Sequence, residues 1–375
     1  MKKILTKLKT YDTLYANDCT SMIAMLVQKI PRLCKRLRKG VSNIHKTTLK
    51  DVATAAGVSV STVSRVLSGS ASISEETCER VRAEAKRLNY TLNSAARSLR
   101  CDRTHSIGVV FPDISGEFYA ICASAILKYA RKKDYAVLFT ESGHNTAAEE
   151  KAVRALMERG VDGILFIGDN THDEIVIRTL ANEVPIVTGD RHIEGIPSVT
   201  YNNRETIYAV TEKLYESGCR SFVYVGEPTD GQDNLKMRNL GFMDFISSHS
   251  DVQAESIFDS RLHDDKLKAG FELFIEKIKS ISPDAIITSN DLIAIGIISA
   301  AHKAGINIPS DMSVTGFDDL RASAYIIPSL STIRQDITKL AKLCVSMVDD
   351  AINQKPVQNA VIMQEIISRE SAALA

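Results

Sequence analysis

Two short segments near residue 50 carry apolar residues at the spacing of an amphipathic helix. The first set is Leu49, Val52, Ala53 and Ala56, and the second is Val63, Val66 and Leu67. Gly57 between them can adopt the left-handed conformation that ends a helix, and Ser59 suits the N-cap of the next one. A third helix begins at Ser74. The sequence therefore predicts a small all-α unit with a helix-turn-helix layout.

After residue 105 the pattern changes to short apolar runs that alternate with amphipathic helical stretches. The runs lie at residues 107–111, 135–139, 163–167, 185–188, 221–225, 285–288 and 313–317. Helical stretches such as 147–159 and 292–303 fill the gaps. This alternation predicts an α/β body with helices on both faces of parallel sheets, and the units suffice for two doubly wound sheets.

The composition is that of a folded chain with two or more domains: 375 residues, 44% hydrophobic and 25% charged. The formal net charge is zero, but residues 1–46 carry +9, residues 47–101 carry +3 and residues 102–375 carry −12. A basic front and an acidic body are expected where one end approaches phosphates. Residues 1–46 lack a sustained apolar period. We interpret them as a poorly ordered extension or the result of a start codon placed too far upstream, with a nonspecific phosphate-binding arm as the alternative.

Several function classes are disfavoured. The seven cysteines are scattered and odd in number, which favours reduced thiols in the cytoplasm over disulfides or a zinc site. The apolar run at residues 22–27 is too short for a membrane span, and no clear cleavage site marks a secretory signal. Phosphate-binding glycine loops are absent from the sequence, and no Ser/His/Asp set stands out. We therefore expect that the chain is not an enzyme and that it binds neither a metal nor a cofactor.

Three motifs follow one another along the chain: TLKDVATAAGVSVSTVSRVL at 48–67, NSAARSL at 93–99 and SIGVVFPDIS from Ser106. In this order they resemble the lactose/galactose repressor family, and the resemblance covers about residues 47–371. It implies a helix-turn-helix DNA-binding domain at 47–91 and a hinge helix with linker at 92–104. It further implies a two-lobed, periplasmic-binding-protein-like effector and dimerisation domain at 105–371. The strands that cross between the lobes are expected near Tyr201, Thr332 and Val357.

The exposed face of the second helix is the part that would read DNA. The residues Val60, Ser61 and Arg65 project from it, and they match positions that touch base edges in the resembling repressors. Arginine can bind guanine with two hydrogen bonds, while valine offers only an apolar surface. Residues suited to phosphate contacts, which position the protein without specifying sequence, are Ser59, Thr62, Ser64 and Asn89.

The motif at 93–99 resembles the hinge helix of the family. A helix this short is marginal alone in water, so we expect it to form only on DNA beside a paired hinge. Leu99 matches an apolar wedge that enters the minor groove. Ala96 matches the small residue that allows close approach there, and Asn93 opens the helix.

Polar residues follow several predicted strands, where ligands of α/β proteins bind. The set resembles the sugar-hydroxyl ligands of periplasmic ribose-type binding proteins and comprises Asp190, Arg191, Arg238, Asn290, Asp318 and Gln335. Phe118 and Tyr119 match aromatics that cover the apolar face of a sugar ring. One departure concerns Gly116 and Glu117, where the pattern has a polar residue and a proline, so one hydroxyl contact is missing or replaced.

The resemblance implies a cytoplasmic, nucleoid-associated repressor of carbohydrate uptake or catabolism genes, released from its operator by a small sugar or sugar derivative. The alternative is a regulator that needs a purine or nucleoside corepressor. We expect a homodimer on a pseudo-palindromic DNA site, because one small head reads few bases. A transport-type sugar-binding protein would share the body but would lack the DNA-binding head.

Overall fold

The computed structural model describes residues 47–67, 73–90, 103–143, 146–168, 174–228 and 233–374. They divide into two compact units, one before and one after the segment near residue 93. Residues 1–46 and the predicted hinge residues Asn93, Ala96 and Leu99 lie outside the described residues. Within the described ranges, every helix is too short or too polar to span a bilayer.

The first unit contains the three predicted helices α1 (Leu49–Ala56), α2 (Val60–Leu67) and α3 (Glu75–Arg87). Their fully buried contacts centre on Val52, Val63 and Val81. Gly57 has φ 65°, as its place at the end of α1 requires. Ser59 accepts a hydrogen bond at its Oγ from the backbone N–H of Thr62, 3.1 Å away, so the predicted N-cap is formed.

The start of α1 carries a capping box that the apolar pattern alone does not show. The Thr48 Oγ1 accepts from the N–H of Asp51 at 3.3 Å, and the Asp51 carboxylate accepts from the N–H of Thr48 at 2.8 Å. The motif T-x-x-D is its sequence signal. Thr47 also donates from Oγ1 to the carbonyl of Leu88 at 2.9 Å, which ties the start of the unit to its end.

The second unit has two lobes, and the first is a six-stranded parallel sheet in the order β11-β5-β4-β3-β1-β2. Its elements are β1 (Ser106–Phe111), α4 (Glu117–Lys132), β2 (Ala136–Glu141), α5 (Thr146–Glu158), β3 (Gly163–Ile167), α6 (Glu174–Leu180), β4 (Ile186–Gly189), β5 (Ser198–Tyr201), α12 (Ile337–Ile352) and β11 (Ala360–Ile362). One layer of the core packs α4 and α12 against the sheet, and a second layer packs α5 and α6 against its other face.

The second lobe is a four-stranded parallel sheet in the order β7-β6-β8-β9. Its elements are α7 (Asn203–Glu216), β6 (Ser221–Gly226), α8 (Asp233–Ser248), β7 (Gln253–Phe258), α9 (Arg261–Asp264), α10 (Lys266–Leu273), β8 (Ala285–Thr288), α11 (Asp291–Lys303) and β9 (Ser313–Thr315). A π-helical turn at Phe274–Ile278 extends α10. Ala372 and Leu374 are buried in this lobe, so it continues beyond residue 371.

The chain passes between the lobes three times. It leaves the first lobe after Tyr201 and returns after β10 (Thr332–Arg334), as predicted. The third passage runs from β11 to β12 (Glu365–Ile367), and β12 pairs antiparallel with β10. The prediction near Val357 was therefore several residues early, because Val357 packs against the core of the first lobe.

The predicted strands at 163–167 and 285–288 have the observed bounds, while the one at 313–317 ends at Thr315. Beyond Thr315 the chain continues beside β10, with the N–H groups of Gly316 and Asp318 donating to the carbonyls of Ser331 and Ile333. A Cβ at Gly316 would lie 2.1 Å from the Asp291 carboxylate. The apolar pattern missed β7, β11 and β12, whereas β5 and β10 fall at the crossings that the resemblance implied near Tyr201 and Thr332. The strand β7 is largely exposed at a sheet edge, so it lacks a continuous apolar run.

Asp291 ties three segments of the second lobe together although it is fully buried. Its carboxylate accepts from the N–H of Leu320 at 2.8 Å, from Ser323 Oγ at 2.6 Å and from Thr332 Oγ1 at 2.5 Å. Burial and the nearby charge of Asp318 raise the pKa of Asp291 to about 7, against an ordinary value of 3.8. Asp291 therefore has a structural role in this lobe.

Asp291→Asn is expected to flatten the pH dependence of stability. Because its pKa is raised by folding, the stability linked to Asp291 is fully present below pH 3.8 and is lost as the pH rises through about 7. An asparagine cannot ionise. Between pH 4 and pH 8, the free energy of unfolding of the wild-type protein should fall by roughly 3 kcal/mol more than that of the variant. Denaturant unfolding at both pH values measures this, with Glu216→Gln as the exposed control. Parallel pH dependence in wild type and Asp291→Asn would contradict it.

Candidate effector cleft and DNA-binding surface

A cavity of about 370 Å³ lies where the carboxyl ends of the strands of both lobes meet. This is the position at which parallel α/β sheets bind ligands, and the volume suits a small molecule. Five of the six predicted polar ligands and both predicted aromatics line it: Asp190, Arg238, Asn290, Asp318, Gln335, Phe118 and Tyr119. The one predicted residue that does not line it is Arg191.

Asp318 is the centre of a hydrogen-bonded group on the second lobe. Its carboxylate accepts from Gln335 Nε2 at 2.6 Å and from the amide of Asn290. The Asn290 Oδ1 in turn accepts from the N–H of Leu292 and begins α11, so the orientation of its amide is set by the helix. Burial raises the pKa of Asp318 to about 6, although the Arg238 guanidinium and Gln335 oppose the shift. Asp318 is therefore an ionised acceptor at neutral pH.

Asp190 faces this group from the first lobe and is likewise buried. Its Oδ2 accepts from Asn234 Nδ2 at 3.1 Å, and Asn234 belongs to the second lobe. Asp190 and Asp318 have φ of 55° and 112°, a region that non-glycine residues rarely adopt. Such backbone persists only where the surroundings impose it, and it concentrates at functional sites. Both lobes thus hold one carboxylate at the cavity in a strained conformation.

Arg238 is buried between the two networks and held in one orientation. Its Nη1 donates to the carbonyl of Ser289 at 2.6 Å and its Nε to Asn203 Oδ1 at 3.3 Å. The guanidinium carbon lies 3.6 Å from the centre of the Phe317 ring, which supports the planar group from one side. A fixed guanidinium of this kind presents donors in a defined plane.

The expectation for Arg191 as a cavity ligand is not met. Its side chain points into the core of the first lobe, where Nη1 lies 3.6 Å from the buried carboxylate of Glu149 and the guanidinium lies over the Phe166 ring. The left-handed backbone of the preceding residue, Asp190, turns the chain here. Neighbouring residues in a turn point in different directions, and position in the sequence does not reveal which of them faces the ligand.

The sequence patterns missed an ion pair in the cavity wall, formed by Glu227 and Lys266. Glu227 follows β6 directly and is buried; its carboxylate accepts from Lys266 Nζ and, at 2.5 Å, from Ser289 Oγ. Burial opposes its ionisation, but Lys266 holds the pKa of Glu227 below its usual range. An acidic residue at the end of a strand was a signal for Glu227. Lys266 is the first residue of α10, far from Glu227 in the sequence, and had no such signal.

The unusual pair Gly116 and Glu117 lies at the mouth of the cavity, where α4 begins. Glu117 accepts from the N–H of Arg321 at 3.4 Å, and the guanidinium of Arg321 lies 3.5 Å from the same carboxylate. Because Arg321 belongs to the second lobe, this contact joins the lobes across the cavity mouth. It is a largely exposed ion pair, so its contribution is small.

The predicted DNA-reading residues Val60, Ser61 and Arg65 all lie exposed on α2, while Val63 and Val66 face the core. At the start of α2, the Ser59 hydroxyl lies 2.7 Å from Ser61 Oγ and 2.8 Å from Thr62 Oγ1. Helix N-termini with such hydroxyl groups suit phosphate oxygens. Ser64 is half-buried. Asn89 is exposed with φ 47° and lies just after the end of α3.

Comparison with known proteins agrees with this division. Residues 48–93 match the family described as bacterial regulatory proteins, lacI family, and residues 211–372 match the periplasmic binding protein-like domain. The catabolite control protein A of Staphylococcus xylosus is 31% identical over 316 residues, 83% of this chain and 94% of that protein. The ribose operon repressor of Halalkalibacterium halodurans is 31% identical over 315 residues, 83% of this chain and 92% of that protein.

The fold is similar to that of the lac repressor dimer solved with operator and the anti-inducer ONPF. The TM-score is 0.77 at 24% identity, and the match covers 87% of this chain and 98% of that one. With a helix-turn-helix unit, a two-lobed parallel-sheet body and relatives that match nearly their whole length, the chain belongs to the lacI family of bacterial regulatory proteins, which are DNA-binding transcription regulators.

Proposed function

We propose that this regulator is a repressor of carbohydrate uptake or catabolism genes, released from its operator by a small sugar or sugar derivative. The observation that carries the proposal is the cavity between the lobes, which Asp190 and Asp318 enter from opposite sides. It acts in the cytoplasm, on DNA of the nucleoid. The relatives named for catabolite control and for a ribose operon support the carbohydrate assignment.

The chemistry of the cavity suits a ligand with several hydroxyl groups. A carboxylate can accept hydrogen bonds from two adjacent hydroxyls, and Arg238 can donate to hydroxyl oxygens. Phe118 and Tyr119 add a half-buried aromatic wall at 5.2 Å between ring centres. Sugar rings combine apolar faces with polar edges and fit this combination.

On DNA, we propose that a homodimer binds a pseudo-palindromic operator. Each head would place α2 in the major groove, with base contacts from Val60, Ser61 and Arg65. The phosphate contacts would come from Ser59, Thr62, Ser64 and Asn89. Asn93, Ala96 and Leu99 would serve the hinge, with Leu99 in the minor groove.

Contacts between the lobes offer a means of coupling. In this arrangement Asn234 reaches Asp190 and Arg321 reaches Glu117. A ligand that competes with Asn234 for Asp190 changes the relative stability of lobe arrangements by its differential affinity for them. We propose that such a rearrangement separates the paired hinges and weakens operator binding by about 1–3 kcal/mol.

An operator titration with and without candidate effectors tests the function. Neutral sugars and purines are added separately to full-length protein, and operator affinity is measured by fluorescence anisotropy. Weakening of operator binding by a sugar supports the proposal. Strengthening by a purine, with no response to sugars, would establish the corepressor alternative instead.

Arg65→Ala is expected to relax base discrimination at one position of each operator half-site by about 1–3 kcal/mol, because a bidentate contact to guanine is lost. Affinities for a set of single-base operator variants measure it. Arg82→Ala, which removes an exposed charge of the same sign from α3, is the matched control and should keep the wild-type base preferences. A uniform loss of affinity over all operator variants would show that Arg65 contacts phosphate and not a base.

Asp318→Asn is expected to weaken effector binding at least about 30-fold, since a charge-assisted hydrogen bond is lost, while ligand-free operator binding persists. In the wild-type protein, effector affinity should fall as the pH drops below about 6, where Asp318 takes up its proton. Calorimetry from pH 5 to pH 8 measures both. Asp336→Asn serves as control, because asparagine can keep the cap of α12 that Asp336 forms. If Asp318→Asn still responds fully to the effector, Asp318 does not bind it.

A further inference from the structure

We infer that the cavity selects uncharged or amine-bearing polyols and excludes phosphorylated sugars and sugar acids. This inference rests on the proposed function and narrows its ligand class. The observation is the charge of the cavity wall, which carries seven carboxyl side chains against one arginine, one lysine and one histidine. A phosphate group brought into this wall meets a surplus of negative charge.

The carboxylates come from both lobes and surround the cavity. Asp113, Glu117 and Asp190 belong to the first lobe. The second lobe contributes four more, among them Asp318 and, at the start of α10, Asp265. Because these carboxylates lie on facing walls, an anionic group of a ligand is repelled by at least one lobe in any orientation.

Lys266 and Arg238 of the wall already have anionic or carbonyl partners. Lys266 donates to the carboxylate of Glu227 and, at 3.2 Å, to the carbonyl of Leu262. Glu227 is buried against Lys266, so the opposite charges of the pair largely cancel for a ligand in the cavity. Arg238 donates to the carbonyl of Ser289 and lies beside Asp318, whose charge it offsets. Neither forms the cluster of available donors that phosphate recognition uses.

One acceptor that lines the cavity, in contrast, has no donor. Gln335 Oε1 is buried and has no hydrogen-bonding partner among the described parts of the chain. The Nε2 of the same amide donates to Asp318, which fixes the orientation of the amide. Gln335 is 4% exposed and lines the cavity. A buried acceptor costs free energy until a donor reaches it. Hydroxyl and ammonium groups supply such donors, whereas an ionised phosphate or carboxylate supplies none.

The test compares matched ligands on the full-length protein by calorimetry at pH 7.5 and constant ionic strength. The pairs are glucose and glucose 6-phosphate, galactose and galactose 6-phosphate, and ribose and ribose 5-phosphate, with glucosamine as the amine-bearing probe. In each pair the phosphate should bind at least about 100-fold more weakly than the neutral sugar. A phosphate that binds as tightly as its neutral partner overturns the inference.

Two substitutions test whether charge is the cause. Asp113→Asn keeps an oxygen that accepts from the N–H of Ser115, and Asp265→Asn keeps the cap of α10, so each removes a charge with little local change. The double variant should narrow the gap between neutral and phosphorylated sugar about tenfold. The same charge removed outside the cavity, by Glu216→Gln, should leave the gap as in wild type. An unchanged gap in the double variant overturns the inference.

The outcomes separate this inference from the proposed function. A sugar phosphate that binds and releases the operator would support a carbohydrate effector and overturn the selectivity. A purine that strengthens operator binding, with no response to any sugar, would overturn both the proposed function and the selectivity for uncharged sugars.

Discussion

The buried carboxylate of Asp291 is the interaction on which the site depends. It joins the start of α11 to the 3-10 helix at Arg321–Ala324 and to the crossing strand β10. Those segments carry Asn290, Asp318 and Gln335 to one place. The adjacent Gly316 leaves the space that the carboxylate occupies. A charged group is costly to bury, and three donors from three segments offset that cost only when all are correctly placed. These cavity-lining residues are positioned by this network and not by their own contacts alone.

The parallel topology explains why residues far apart in the chain form one cavity. The strands β4, β6, β8 and β9 all end at the cleft, and a polar residue that lines the cavity follows within three positions of each end. Parallel strands need helical crossovers, so consecutive strand ends are separated by tens of residues in sequence yet are neighbours in space. The two lobes repeat this arrangement and face each other. Contacts such as Asn234 with Asp190 then make the cavity sensitive to how the lobes are arranged.

The electrostatics of the chain follow the same division. The basic charge is concentrated before residue 102 and the acidic charge after it. Within the body, part of the negative charge lines the cavity instead of facing bulk water. Net negative charge on the body opposes nonspecific contact with DNA phosphates. In the proposal above, the part of that charge that lines the cavity favours donor-rich ligands.

The sequence by itself determined the helix-turn-helix unit, the α/β class and the bounds of the strands at 163–167 and 285–288, because these depend on local periodicity. The resemblance to ribose-type binding proteins pointed to most of the residues that line the cavity. The sequence did not reveal the edge strand β7 or the short strands β11 and β12, whose stability comes from partners distant in the chain. It also assigned Arg191 to the ligand, although that side chain pairs with Glu149 in the core. The pair of Glu227 with Lys266 and the orientation of Gln335 were decided only by the tertiary structure. Each depends on which loops meet at the cleft, and that meeting follows from long-range packing that no local pattern records.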